Sequence, residues 1–328
     1  MSRVNKGTWD VSENTSPLVS IGIPCFNRPQ GLDHLLASMT SQTFQDIEIL
    51  VSDNCSPNPE VQRIAQRYAV RDSRVKVFRQ PTNIGRFDNH QFVKDQARGK
   101  YFMWAHDDDE FPTNYVEICL AHFKDAPDVV LVGPSCDRYL DGKYFLTPEN
   151  YSSIGLGTYE RLRNLMPIGF RNYWRFEQYF SGLCLLSAAP TYFSKDCGGE
   201  FYHFFVLSER GTLAHAPELK IIKHTTQEQW DGYAAGSDFP KRPILRYFSV
   251  SNIQSSTPLA GQMIATIWRS RRLTGIEKIQ LTSHCISLYL RYPLRNEFQD
   301  RIIPKSRKWI GENIPFVRRI YRNFKSQL

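Results

Sequence analysis

GKYFMWAHDDDEF, residues 99 to 111, is a short apolar run that ends in three consecutive carboxylates. Residues 101–105 read as a strand, and Asp107, Asp108 and Asp109 follow it. Adjacent acids repel one another and add nothing to a sheet. They are tolerated at a strand's carboxyl end when a divalent cation and its phosphate ligand offset the repulsion. Mg²⁺ and Mn²⁺ suit this arrangement, because hard cations take oxygen ligands and keep few protein carboxylates beside substrate phosphates. The plain alternative is a solvated acidic loop, and the flanking segments decide between the two.

Upstream, LVSIGIPCFN from Leu18 is a nearly unbroken β-branched run, the pattern of a buried parallel strand. It stops at Pro24, and Asn27, Arg28 and Pro29 open a loop. Leu32, Leu35, Leu36 and Met39 then recur at helical spacing. IEILVSDNCSPN supplies a second strand over residues 47–51, ended by Asp53 and a turn-rich stretch. A helix over residues 59–70, a strand over 75–78, a loop over 81–86 and a helix up to Arg98 complete the rounds. Such regular alternation predicts βαβ crossovers and a doubly wound α/β sheet.

Ligands of these sheets bind beyond the carboxyl ends of the strands. Asn27, Asp53, Asn83 and Asp107 to Asp109 all fall there, so four strand ends supply one polar rim. No GxxxxGK[ST] is present and no GxGxxG follows the first strand, which disfavours P-loop and dinucleotide chemistry. Without backbone amides to cradle a diphosphate, a cation must supply the countercharge, and the acid triplet gains a purpose.

The chain of 328 residues has the bulk for one large domain or two modest ones. Its seven cysteines are scattered, odd in number and without CxxC spacing, which predicts reduced thiols in a cytosolic setting. The first residues are polar with no apolar h-region, so no secretory signal is expected. No run approaches the ~18 apolar residues that spanning a bilayer requires. The net charge of +8 is uneven, since residues 241–328 hold 17 Lys/Arg against 4 Asp/Glu. A basic tail suits anionic lipid or nucleic acid, and a solvated helical surface is an equal rival.

Four segments in order resemble the family 2 glycosyltransferases, inverting enzymes of the GT-A fold. They are SIGIPCFNR, EILVSDNCS, TNIGR and ARGKYFMWAHDDD, within residues 18–111. The resemblance implies a Rossmann-like, mostly parallel sheet flanked by helices, with a mainly helical basic carboxyl-terminal region. It implies that Pro24, Phe26 and Asn27 line a base pocket and that Asp53 accepts from the nucleobase imide. Asn83 and Arg86 would stand near the base and phosphates. Asp107 would face ribose or sugar hydroxyls, Asp108 would be the principal metal ligand, and Asp109 a second ligand or a support for the first. His106 stands where many members carry the first Asp of a DXD motif, which leaves open the acid that meets the metal. Two plainer uses compete: Asp53 as cap of the turn after its strand, and Arg86 as a surface ion-pair partner.

Downstream, residues 115–123 read as an amphipathic helix and DVVLVGPS as a strand. Residues 139–180 are rich in Tyr, Phe, Trp, Arg and Asn with poor periodicity. Aromatic rings beside hydrogen-bonding groups suit stacking on sugar faces, so an acceptor surface is expected there, with core packing as its rival. SGLCLLSAAPTYF resembles the family segment ahead of the catalytic base, and that resemblance places an acid about a dozen residues before Gly211. Glu200 is assigned as general base, Asp196 is the runner-up and His203 a third choice. The base would take the acceptor's proton as an oxocarbenium-like centre is attacked in line with inversion. Glu200 as a helix N-terminal acid is the plainer reading. His224, at the end of LKIIKH, matches a family position that closes over the diphosphate, and a surface histidine is the rival.

The expected organisation is a flexible leader (residues 1–16), a nucleotide-sugar-binding half (17–135), an acceptor-binding half (136–240) and a helical basic region (241–328). Spaced apolar residues predict helices over 259–268 and 276–290. IPFVRRIYRNFKSQL fits a helix lying in a membrane interface, packing on the catalytic domain, or a homodimer contact. The leading expectation is transfer of a sugar from a UDP-sugar to a glycan or lipid-linked acceptor, with Mn²⁺ or Mg²⁺. The setting is cytoplasmic, with peripheral contact to the inner membrane face, and no nucleic-acid partner is expected. A sugar-phosphate nucleotidyltransferase is the second enzyme class, disfavoured because CFNRPQG carries a single Gly. A nucleic-acid-binding protein driven by its basic tail is the non-enzymatic alternative.

Overall fold

Four apolar runs become strands β1 (Val19–Cys25), β2 (Ile47–Asp53), β3 (Val75–Arg79) and β4 (Tyr101–Trp104). They lie side by side in the order β3-β2-β1-β4, all parallel. Every residue of β1 and β2 is buried, which is why these segments are largely apolar, with Ser20, Glu48, Ser52 and Asp53 as their buried polar exceptions. Helices α1 (Pro29–Thr40), α2 (Pro59–Arg71) and α3 (Arg86–Asp95) connect them. Pro29 and Pro59 open α1 and α2, where a missing N–H costs nothing. Leu32, Leu35, Leu36 and Met39 form the buried stripe of α1.

The computed structural model describes residues 16–147, 150–171, 177–191, 199–226 and 259–297. The expected leader and the amphipathic stretch after residue 298 lie outside them. Within them are also β5 (Asp109–Glu110), α4 (Tyr115–Asp125), β6 (Val129–Leu140), β7 (Lys143–Leu146), α5 (Thr158–Arg171), α6 (Glu177–Phe180), β8 (Leu183–Leu185), α7 (Gly199–Arg210), β9 (Thr212–Thr225), α8 (Leu259–Arg269) and α9 (Gly275–Glu297).

Beyond β4 the sheet stops being parallel. β8 is antiparallel to both β4 and β6, β9 runs parallel to β6, and β5 is antiparallel to β9. The nine strands form one mixed sheet in the order β3-β2-β1-β4-β8-β6-β9-β5, with β7 hairpinned onto β6. The α/β class and the flanking helices match the sequence reading; the sheet is mixed instead of mostly parallel because its second half is joined by hairpins and short returns. The divide expected at residues 135/136 falls inside β6, so both halves share one sheet. β5 follows β4 within a few residues yet pairs on the far side of β9, so the sheet curls.

β6 and β9 run longer than the segments their sequences suggested. Their register slips after Pro134↔Ala216, and pairing resumes at Ser135↔Lys220. Pro134 and Pro217 cannot donate to a ladder, so the interruption falls where it costs least.

Two cores cover the two faces of the sheet. One joins Ile21, Ile23 and Ile49 to α1, α2 and α4 through Leu35, Leu36, Val61 and Tyr115. The other joins Phe102 and Trp104 to Leu162, Phe204, Phe205, Met263 and Leu281, which come from α5, α7, α8 and α9. The two helices read within residues 259–290 thus pack on α5 and α7, outside the sheet's second face. Among the described residues no helix is long and apolar enough to cross a membrane.

Candidate functional site

The carboxyl ends of β1, β4 and β9, with the β6–β7 turn, enclose a cavity of about 430 Å³. Asn27, Arg28, Gly31, His34, Asp107, Asp108, Asp109, Asp141 and His224 are among the residues that line it. The loops after β1 and β2 are stitched together beside it. Asn27 sits at φ 55, a left-handed conformation that Asn tolerates. Its amide donates to Ser56 Oγ at 2.8 Å, and the Ser56 amide donates to Asp53 Oδ1 at 2.8 Å. The first turn of α1 presses on the acid loop: a Cβ at Gly31 would lie 2.0 Å from the Asp107 carbonyl oxygen.

The three acids point three ways. Asp107 Oδ1 accepts from Arg28 Nη1 at 2.6 Å. Burial pushes the Asp107 carboxyl up to about 6; Arg28 pulls against that rise and Asp108 adds to it. Asp109 is turned into the protein, where Lys223 Nζ donates to its two oxygens at 2.8 and 2.7 Å and Ser181 Oγ donates at 2.7 Å. Burial alone would raise the Asp109 carboxyl, but Lys223 and His106 hold it well below the usual carboxylate range. Asp108 keeps a side chain 29% exposed and stands 3.4 Å from Arg28 Nη1. Its carbonyl accepts from the His224 amide at 2.8 Å.

This division limits what cation the site fits. Among the described residues, no group of three or more His, Cys, Asp or Glu side chains is arranged to hold a metal ion unaided. Asp108, with Asp107 beside it, fits Mg²⁺ or Mn²⁺ that brings phosphate and water oxygens for most of its shell. Asp109, engaged with Lys223, stands behind them in the place of a support.

The other sequence candidates are spread around this centre. Asp53 is fully buried, and its second oxygen accepts from Arg79 Nη1. Its bond to the Ser56 amide is the turn-capping use named above. Asn83 Oδ1 accepts from Asn54 Nδ2 and from the Gly85 amide, each at 2.9 Å, and so ties the β3 end to the β2 end. Arg86 opens α3 and lies over the Phe87 ring at 4.6 Å. Pro24 is buried at the end of β1, and Phe26 is 42% exposed. Pro24, Phe26, Asp53, Asn83 and Arg86 stand outside the cavity lining. Glu200 is the second residue of α7, in its first turn. Asp196 lies outside the described residues. His203 packs edge-on to Trp104 at 5.0 Å in the second core, where burial pushes its imidazole down to about 3.

Two residues escaped the sequence reading. Arg28 follows Asn27 directly, and the signal was the need of three adjacent acids for a nearby cation. Lys223 stands inside the LKIIKH run, where its place after Ile222 puts it on the opposite face of the strand from His224 but names no partner.

Residues 20–180 match the family described as Glycosyl transferase family 2. That match takes in just under half of the chain. The matched part runs from β1 to α6 and holds Arg28 and the acid loop, while α7 and β9 follow it. Over 95 residues the chain is 35% identical to the GalNAc(5)-diNAcBac-PP-undecaprenol beta-1,3-glucosyltransferase of Campylobacter jejuni, covering 29% of this chain and 30% of that relative. Over 109 residues it is 30% identical to the putative colanic acid biosynthesis glycosyl transferase WcaA of Escherichia coli, covering 33% and 38%. The chain thus spans less than half the length of these curated relatives. S. aureus TarS 1-349 in complex with UDP-GlcNAc superposes with a TM-score of 0.58 at 14% identity, covering 87% of this chain and 76% of that one. The chain therefore shares the GT-A fold, its sheet curled and mixed.

Proposed function

We propose that this protein transfers a sugar from a UDP-sugar to a hydroxyl of a glycan or lipid-linked acceptor, with inversion and with Mn²⁺ or Mg²⁺. The observation that carries the reading is the division of the acid triplet: Lys223 takes Asp109, Arg28 takes Asp107 and also reaches Asp108 at 3.4 Å, and Asp108 keeps the most exposed side chain of the three. A UDP donor is supported by the like fold of S. aureus TarS, which has been crystallised with UDP-GlcNAc. A lipid-linked acceptor is supported by the Campylobacter relative, whose name carries PP-undecaprenol. That acceptor goes with work at the inner membrane face, where the basic residues beyond 241 would meet anionic lipid.

Each side chain then has a share. Asp108 would hold the cation, with Asp107 beside it and Asp109 as the buried support. When bound, the cation offsets the charge of the departing diphosphate. Arg28 adds a fixed positive charge at the same end of the cavity, and His224 closes over the diphosphate from β9. Asp107 takes ribose or sugar hydroxyls. Asp53 uses its remaining lone pairs for the base imide, with Pro24, Phe26 and Asn27 around the base and Asn83 and Arg86 at its rim. Glu200, or Asp196 in its stead, receives the acceptor's proton on the face opposite the leaving group.

Thermal shifts with UDP, GDP and CDP, each with and without Mn²⁺, test this reading. UDP with Mn²⁺ is expected to raise Tm most, because a ligand that binds only the folded state stabilises by mass action. Asp108→Ala should keep the Tm of the free protein and lose the Mn²⁺-dependent part of the UDP shift. An intact Mn²⁺-dependent shift in that variant, or equal shifts from all three nucleotides, would overturn the proposal.

A further inference from the structure

The β6–β7 hairpin carries two rings for which donor binding has no use, and they continue a row that starts at His224 on β9. Tyr144 of β7 is the cross-strand partner of Tyr139 on β6, and Tyr139 is the partner of His224 on β9. The ring centroids are 6.0 Å apart for the first pair, which meets edge to face at 82°, and 5.9 Å for the second, tilted at 40°; the cross-strand register puts all three on one face of three adjacent strands. Tyr144 is 60% exposed and the His224 side chain 46% exposed. The row ends at the donor cavity, whose lining includes His224 and the hairpin turn Asp141-Gly142. Glu110 closes that end, its Oε1 lying 2.6 Å from His224 Nε2.

Cross-strand aromatic pairs do stabilise hairpins, and that accounts for Tyr139 meeting Tyr144. It does not account for Tyr144 standing 60% exposed at the outer end of a row that leads to the cavity. A single exposed ring is ordinary on a protein surface, but a row of rings that opens onto a cavity offers a ligand a continuous stacking surface. A pyranose ring fits the chemistry. Its axial C–H face is weakly positive and packs on the negative face of an aromatic ring, while its rim hydroxyls seek polar partners. Carboxylates flank the row at Glu110 and Asp141. Strands about 4.8 Å apart spread three rings over roughly 10 Å, which is longer than one pyranose ring.

We infer that Tyr144, Tyr139 and His224 form the track on which the acceptor's sugar chain lies, so that the acceptor is an oligosaccharide and not a single small alcohol. The inference rests on the glycosyl-transfer reading above. His224 belongs to both track and cavity, which puts the chain's end beside the donor.

The test uses the full chain, fluorescently labelled, on an array of mono- to hexasaccharides with UDP and Mn²⁺ present. Tyr144→Ala and Tyr144→Trp accompany the parent, and the UDP–Mn²⁺ thermal shift is read for all three. The parent should bind glycans of two or more sugars and no monosaccharide. Tyr144→Ala should weaken that binding about five- to tenfold, as expected for loss of one stacking ring. Tyr144→Trp should retain it, and the UDP shift should be unchanged throughout. Glycan binding within twofold of the parent in Tyr144→Ala, binding of monosaccharides alone, or no glycan bound would each overturn the track. A UDP shift that falls in Tyr144→Ala would assign the ring to the donor and likewise overturn it. Absence of any UDP shift in the parent would sink the glycosyl-transfer reading instead.

Discussion

Burying the Asp109 carboxylate without a partner would cost several kcal/mol, and Lys223 is the residue that prevents it. Replacing Lys223 by Met keeps the stem and removes the charge. Urea unfolding should then show a loss of about 3–5 kcal/mol, the usual cost of stranding one member of a buried pair. Adding Asp109→Asn to Lys223→Met should recover much of it, since the stranded charge goes too. A single variant as stable as the parent would show that the pair does not carry the loop. At this scale the sequence was legible for residue types and not for partners. The acid triplet announced itself, but nothing in LKIIKH said that Lys223 points inward at Asp109 while His224 points out. The alternation of a strand gives the two faces; only the sheet's order says which face meets the acids.

Among the elements, α1 is seated against the acid loop through Gly31. Ala at a helix interior position is favoured over Gly by up to about 1 kcal/mol. A methyl 2.0 Å from the Asp107 carbonyl oxygen works the other way, and the obstacle is backbone, which yields little. Overpacking of this kind costs about 1–3 kcal/mol, so the clash should win. Gly31→Ala is expected to lower Tm and to shrink the UDP–Mn²⁺ shift, because Asp107 and Asp108 move with the displaced loop. A raised Tm with the full UDP shift would show that the close approach is absent. The buried strands β1 and β2 and the stripe of α1 were legible because burial on both faces or along one stripe leaves a period. β8 and β5 were not, being three and two residues long, too short for any period. The β6–β7 hairpin had a signal that went unread inside the aromatic stretch. Asp141-Gly142 is an Asp-Gly turn, and both residues take positive φ, 47° and 75°.

Across the whole molecule, Glu48 of β2 ties together β1, β3 and the segment before β4. Its Oε1 accepts from Ser20 Oγ at 2.6 Å and from the Arg98 amide at 2.9 Å, and its Oε2 from Lys76 Nζ at 2.6 Å. Burial works to raise its carboxyl, but Lys76, Ser20 and the Arg98 amide outweigh it and leave it lowered. A carboxyl whose folded value is lowered contributes stability fully above its ordinary value, about 4.3 for Glu, and loses that share as pH falls through the folded value. Urea midpoints should therefore drop as pH falls below that range, and Glu48→Gln should flatten the drop while lowering stability at neutral pH. An unchanged slope in the variant would show that Glu48 does not report on folding. The α/β class was legible at this scale from the alternation of runs. The curl was not, because it depends on β5 reaching past β9, a pairing between residues more than a hundred positions apart.

That pairing makes the acid loop a hoop as well as a tool. The residues that would grip a donor are also the ones that draw the two ends of the curved sheet together, with Asp108, Asp109 and Glu110 each fastened to β9. A substitution that eased one duty would burden the other. Chemical novelty in such an enzyme should therefore arise at the open hairpin rim, where a side chain can change without slackening the frame.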